Sequence, residues 1–208
     1  MYHNQRVFQT LIEEVGVWSN QNFGFNVSKW PRREDILLDH TAPLLGIIEE
    51  CGELAEAFKD MNKELIRDSI GDTLIYLADY LFRLALEADI INWKVIPIGF
   101  PPSWFFSRDN LILVGQLAHI NLKRHQGIRG YDGPRFLDEL APHLTRLLIE
   151  LSKVYKLSHL KPRNETDRLA SDVWTPQEAL DAIIVIGAST WKHVQQRNWK
   201  SNPQTGGA

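Results

Sequence analysis

An all-α helical bundle is the fold class this sequence predicts, and three observations predict it. Apolar residues recur at helical spacing in one stretch after another. Short segments rich in Gly, Asn, Ser or Pro separate those stretches. Acidic residues follow one another at intervals of three and four, which a helix turns into side-by-side neighbours.

Residues 5–20 read as a first amphipathic helix on Val7, Phe8, Leu11, Ile12, Val15 and Trp18. Asn20–Pro31, with Gly24, Asn26 and Ser28, reads as a loop, and a short helix is expected to begin near Arg32. Pro43 suits a first helical turn and opens the helix over 44–58. Leu44, Ile47, Ile48, Cys51, Ala55 and Phe58 form its apolar stripe, with the glutamates roughly opposite. Lys63-Glu64 lies in the turn or early in the next helix, which runs to about Ala88 on Ile70, Leu74, Leu77, Leu81 and Leu84. Its other side interleaves Ile75 and Phe82 with Asp68, Asp72 and Asp79, the pattern of a helix covered on both sides. Trp93–Trp104 is a proline-rich connector, either a strap over the core or the border of a pocket. The last helix, about 176–200, follows Thr175-Pro176, an N-cap and first-turn pair, and buries Ala179, Leu180, Ile183, Ile184 and Ile186.

A chain of 208 residues with 44% hydrophobic content can bury a sizeable core, and we take 1–208 as a single all-α domain. A net charge of −3 argues against stable nucleic-acid binding, which would show as a basic excess. The apolar patch at 95–106 is broken by Pro97, Pro101 and Pro102, so no membrane span is expected. No secretory signal is visible at the N-terminus, and Cys51 stands alone, which excludes an internal disulfide framework. Both features fit a cytoplasmic chain. Phosphate-loop, dinucleotide and zinc-protease motifs are absent, and the seven histidines are scattered without ligand spacing.

The chemistry concentrates between Ile47 and Leu77. Glu49, Glu50 and Glu53 share one side of a helix, and Asp68 and Asp72 lie one turn apart on the next. Two helices joined by a short turn pack antiparallel, so the two acid groups can face each other. Acids on one helix alone also describe a solvated face. Acids interleaved with apolar residues on a doubly covered helix need a counter-charge, and an all-oxygen donor set suits Mg²⁺.

Glu49-Glu50-Cys51-Gly52-Glu53, followed on the next helix by Asp68-Ser69-Ile70-Gly71-Asp72 and an apolar run, resembles the MazG-like all-α nucleoside triphosphate pyrophosphohydrolases. The resemblance covers about residues 40–90, the expected metal-site helix pair. Gln126-Gly127-Ile128-Arg129-Gly130 and the closing Val194-x-x-Arg197-x-Trp199 also look like segments of that family. Membership would imply a MazG-like helical bundle, commonly a homodimer, that hydrolyses a nucleoside triphosphate to the monophosphate and pyrophosphate. Glu49, Glu50, Glu53, Asp68 and Asp72 would then hold Mg²⁺, with Glu50 also the choice for the base. One departure stands out: the family's second motif is usually E-x-x-D, and its glutamate falls on Ser69. Either Asp68 substitutes or the site is one ligand short. The rival reading is a catalytically inactive helical nucleotide-binding or regulatory protein.

A faint internal repeat also shows. Gly52-Glu53-Leu54-Ala55-Glu56 is matched by Gly115-Gln116-Leu117-Ala118-His119, and Asp68-Ser69-Ile70-Gly71 by Asp138-Glu139-Leu140-Ala141. Residues 108–200 would then be a degenerate second copy in a pseudo-twofold bundle. Where the first copy has Glu49, Glu50, Glu53 and Asp72, the second has Ile112, Leu113, Gln116 and Pro142, so it would keep the scaffold without the acids. Lys123, Arg124 and Arg129 form the densest basic group with His125, read either as a solvated helix end or as cations for the substrate phosphates. Arg197 and Lys200 are further phosphate or ribose candidates on the last helix.

Overall fold

The stripe expected at Ile70, Leu74, Leu77, Leu81 and Leu84 is the centre of the molecule. In the computed structural model these five side chains are at most 1% exposed. The structure describes residues 3–24, 27–28, 37–38, 40–88, 109–125, 134–159 and 176–196. Among them are six helices: α1 (His3–Phe23), α2 (Thr41–Lys59), α3 (Lys63–Ala88), α4 (Asp109–His125), α5 (Pro134–His159) and α6 (Pro176–Val194). The class is all-α. The central helix α3 packs against α2, α1, α6 and α5, while α4 lies on α5 and touches α2. No helix among the described residues is long and apolar enough to cross a membrane.

Several boundaries differ from the sequence reading. The first helix continues past Asn20 to Phe23 and stops where Gly24 turns left-handed at φ 70° and donates its N–H back to the Asn20 carbonyl. Inside the expected loop, β1 (Val27–Ser28) pairs antiparallel with β2 (Leu37–Leu38), and β2 rests on α3. Arg32, the expected start of a short helix, lies outside the described residues, as do the Trp93–Trp104 connector, the Gln126–Gly130 segment, Arg197 and Lys200. The last helix ends at Val194 in a turn over Gln195–Gln196.

Helix α2 is rotated somewhat from the face expected: Leu44 and Ile47 are buried as the stripe predicts, and Ile48, Cys51 and Phe58 pack at the edge of the core. Its buried residues are Pro43, Leu44, Gly46, Ile47, Glu50, Leu54 and Ala57. Ile48, Cys51 and Phe58 are only half-buried and Ala55 is exposed. Pro43, Ile47, Glu50, Leu54 and Ala57 recur at alternating steps of four and three, the spacing of a helix-packing seam. Glu50 therefore occupies a core position rather than the polar back of the helix.

Three residues join α2 to α3, and each has a defined task. The Asn62 N–H returns to the Ala57 carbonyl at 2.9 Å and the Met61 N–H to Phe58 at 3.1 Å, which closes α2 in a Schellman arrangement. Met61 takes the left-handed position, φ 51°, where glycine is the usual occupant. Asn62 then caps α3: its Oδ1 accepts from the N–H groups of Glu64 and Leu65 at 3.2 and 3.3 Å. A connection this short holds the helices antiparallel and fixes their rotation.

Polar ties complete the packing. The Arg83 guanidinium forks onto Asp79 at 3.0 and 2.8 Å, and Ser19 of α1 donates to Asp79 at 3.1 Å. All three side chains are buried. Asp79, grouped by the sequence pattern with Asp68 and Asp72, thus has its counter-charge on its own helix. Trp191 of α6 donates its indole N–H to Glu14 at 2.9 Å and meets Trp18 edge-on. The Tyr80 hydroxyl donates to Asn121 at 2.7 Å, tying α3 to α4, and the His40 ring meets the Tyr80 ring edge-on.

The connection should respond to both of its special positions. Met61→Gly relieves the left-handed strain and should raise stability by about 0.5 kcal/mol, after glycine's larger unfolded-state entropy is set against the relief. Asn62→Ala removes the cap and should cost about 1 kcal/mol, roughly 2–4 °C in Tm. Thermal unfolding followed by circular dichroism checks both.

Candidate functional site

The geometry of the acidic pair starts from a small residue. Any side-chain carbon at Gly46 would overlap the ring of Tyr76, so glycine lets α2 and α3 approach closely there. On the other side of α3, a side chain at Gly71 would meet Thr190, so α6 lies tight against the turn that carries Asp72. Gly46 opposite Tyr76 sets the antiparallel register. One turn along, Glu50 comes level with Asp72, and one further, Glu53 with Ser69.

This register brings the five predicted acids into one electrostatic group. Glu50 is 9% exposed. Burial, and then the charges of Asp72, Glu53, Glu49 and Asp68, push its carboxyl from 4.5 up to about 8. Glu49, Glu53 and Asp68 are exposed and Asp72 is half-buried, so the buried acid sits beneath a more open rim. Every charge named here as acting on Glu50 is a carboxylate. Near neutral pH the metal-free chain therefore carries Glu50 largely protonated.

Tyr76 belongs to this site, and the sequence reading did not single it out. Burial raises its hydroxyl pKa, and Glu50, Glu49, Asp72 and Glu53 raise it further, in that order. The signal was available: Tyr76 follows Asp72 by four residues, on the same helical face. Cys51, beside the acids, has its thiol pushed up to about 11 by burial and then by Glu50, so it is no nucleophile at neutral pH.

Ser69, where the resembled motif has glutamate, is buried at 4% exposure. Its carbonyl accepts a 2.7 Å hydrogen bond from the Thr73 hydroxyl. Among the described residues, no three His, Cys, Asp or Glu side chains converge tightly enough to form a ready-made ion cage. The donor chemistry and the excess negative charge suit a hard divalent cation; water and substrate oxygens would have to complete its shell.

Of the basic group, Lys123 is half-buried on α4. Arg124 belongs to α4 with its side chain outside what is described, and Arg129 lies outside the described residues altogether. The fold also assembles something the sequence did not suggest. A cavity of about 530 Å³ opens between α4 and α5, lined by Gly115, Gln116, His119, Ile120, Glu139, Pro142 and His143. Two of the scattered histidines thereby share one site.

Comparison with models of known families, with curated proteins and with solved structures gives no match to this chain.

Glu50 gives the metal-free protein a defined pH response. Between about 4.5 and about 8 the folded chain keeps a proton that the unfolded chain has released. Its contribution to stability therefore falls as pH rises through that window and reaches its low plateau above about 8. Glu50→Gln should flatten this part of the profile and raise Tm near pH 8 by roughly 2–8 °C, about 1–2 kcal/mol. Unfolding scans from pH 5 to 9 in chelator-treated buffer measure it.

Proposed function

We propose that the chain is a Mg²⁺-dependent nucleoside triphosphate pyrophosphohydrolase of MazG-like type. The observation that carries this reading is Glu50, a buried carboxyl in a helical hairpin whose acidity is lowered further by the charges of Asp72, Glu53, Glu49 and Asp68. A buried carboxylate beside further negative charge is costly, and a divalent cation would relieve that cost.

Glu49, Glu50, Glu53 and Asp72, with Asp68 at the rim, would hold the ion. When bound, Mg²⁺ supplies charge neutralisation at the phosphates and acidity to water. The remaining work is positioning. A water oxygen attacks the α-phosphorus, the bond from that phosphorus to the bridging oxygen breaks, and pyrophosphate leaves. Glu50 accepts the proton of the attacking water. Tyr76, whose ring lies against Gly46 one turn from Glu50, would border the site. Lys123, Arg124 and Arg129 are assigned to the phosphates, since four carboxylates and a triphosphate leave negative charge to neutralise.

The degenerate repeat belongs to the same proposal. Helices α3 and α5 are both 26 residues long, and each is preceded by a shorter helix that packs on it. Gln116 and Pro142, aligned with Glu53 and Asp72, line one cavity between α4 and α5. This supports a second copy that kept the helix pair and lost the acids. A homodimeric assembly remains part of the proposal alongside the pseudo-twofold one. The second reading, an inactive nucleotide-binding or regulatory protein, is favoured by the buried Ser69 and by the lack of a ready-made ion cage among the described residues.

The discriminating experiment is pyrophosphate release from a panel of nucleoside triphosphates with and without Mg²⁺. Glu53→Gln and Asp72→Asn should each reduce Mg²⁺-dependent release at least a hundredfold with the helical circular dichroism unchanged. Full activity in either variant would remove the metal assignment, and nucleotide binding without release would favour the inactive reading. Ser69→Glu sets a new carboxylate level with Glu53. If the site is a ligand short, the variant should bind Mg²⁺ more tightly in calorimetric titration; if Asp68 already fills that place, crowding should lower activity. Unchanged affinity and activity would show that position 69 takes no part.

A further inference from the structure

Two glycine contacts grip α3 from nearly opposite sides. Gly46 of α2 lies against the Tyr76 ring, and Gly71, about 140° around α3 from Tyr76, faces Thr190 of α6. A β-carbon at Gly71 would overlap the Thr190 hydroxyl oxygen and stand 2.9 Å from the Thr190 β-carbon. One turn along, a β-carbon at Gly187 would stand 3.0 Å from Leu74. These two pairs run in opposite senses, so α6 lies antiparallel along the stretch of α3 that carries Asp72.

Neither side of this grip has slack. Toward α2, the Tyr76 ring already fills the space over Gly46. Toward α6, Thr190 is β-branched, so its bulk stays close to its own helix and cannot be turned away. That helix is anchored at the next residue: Trp191, 3% exposed, donates its indole N–H to Glu14 of α1 at 2.9 Å and meets Trp18 edge-on. Added bulk at Gly71 can then be relieved only by turning or tilting α3, and Asp72 is the next residue on it.

We propose that Thr190 is a positioning residue for the acidic site: seated on Gly71, it holds α3 at the rotation that sets Asp72 opposite Glu50. The inference rests on the cation reading of that site and adds α6 to it, as the element that fixes the spacing of the acids from behind. It also accounts for a glycine directly before Asp72, inside a helix where glycine lowers stability.

The test is calorimetric titration of the full chain with Mg²⁺, without nucleotide, beside thermal unfolding in chelator-treated buffer. Gly71→Ala should weaken Mg²⁺ binding by roughly tenfold to a hundredfold, the effect of disturbing a support behind a metal ligand. Thr190→Gly, which takes the seat away, should weaken it too. The double variant Gly71→Ala/Thr190→Gly moves bulk back across the contact and should recover most of the affinity, while its Tm stays below wild type because glycine now interrupts α6. Leu147→Ala, a buried truncation on α5, should lower Tm and leave Mg²⁺ affinity unchanged. Absence of Mg²⁺ binding by the wild-type chain would overturn the cation reading and this inference together. Wild-type affinity in folded Gly71→Ala or in Thr190→Gly, no recovery in the double variant, or an equal loss in Leu147→Ala would overturn this inference alone. Thr190→Gly decides the matter should Gly71→Ala fail to fold.

Discussion

Close approach of α2 and α3 at Gly46 and Tyr76 governs most of what is distinctive in this molecule. Two helices that pack over a glycine bring their backbones nearer than larger side chains would permit, and everything one turn away is drawn in with them. Glu50 is the first residue to feel it. It stands at a seam position that in most bundles would be leucine, and the register supplies Asp72 as its neighbour. The molecule thus contains two kinds of buried acid. Asp79 is neutralised within its own helix by the Arg83 fork and ties α1 to α3. Glu50 is surrounded by like charges and adjusts by holding its proton. The first kind is structural; the second stores an electrostatic imbalance that a cation can relieve.

Much of this was legible in the sequence because it depended on local periodicity. The apolar stripe of α3 follows directly from the spacing of Ile70, Leu74, Leu77, Leu81 and Leu84, and its end near Ala88 was legible too, whereas Lys63-Glu64 could have belonged to the turn. The membership of the acidic group was legible too, since residues three and four apart on a helix must share a side. What the pattern could not give was the rotation of α2. Ile48, Cys51 and Phe58 are as apolar as Leu54 and Ala57, so composition alone did not say which set lies at the centre of the seam and which at its edge. The approach of Gly46 to Tyr76 decides it, and that is a contact between residues thirty positions apart.

Other features escaped for the same reason. Tyr76 looks like one more aromatic on an apolar helix until α2 is laid against it. His119 and His143 are separated by a whole helix connection and carry no ligand spacing, yet the α4–α5 packing gives them one cavity. The β1–β2 pair was hidden because two residues per strand are too few for any alternation to register.

The connection between α2 and α3 has one further consequence. Surface turns usually absorb insertions and deletions at small cost. This one cannot, because Asp60 ends α2, Met61 makes the left-handed step and Asn62 both closes one helix and opens the next. Adding or removing one residue would turn α3 by about 100° relative to α2 while leaving both helices intact. Asp72 would swing away from Glu50 and Tyr76 away from Gly46. The length of three residues therefore acts as a phase lock between the two halves of the acidic site, and divergence in this hairpin should proceed by substitution rather than by change of length.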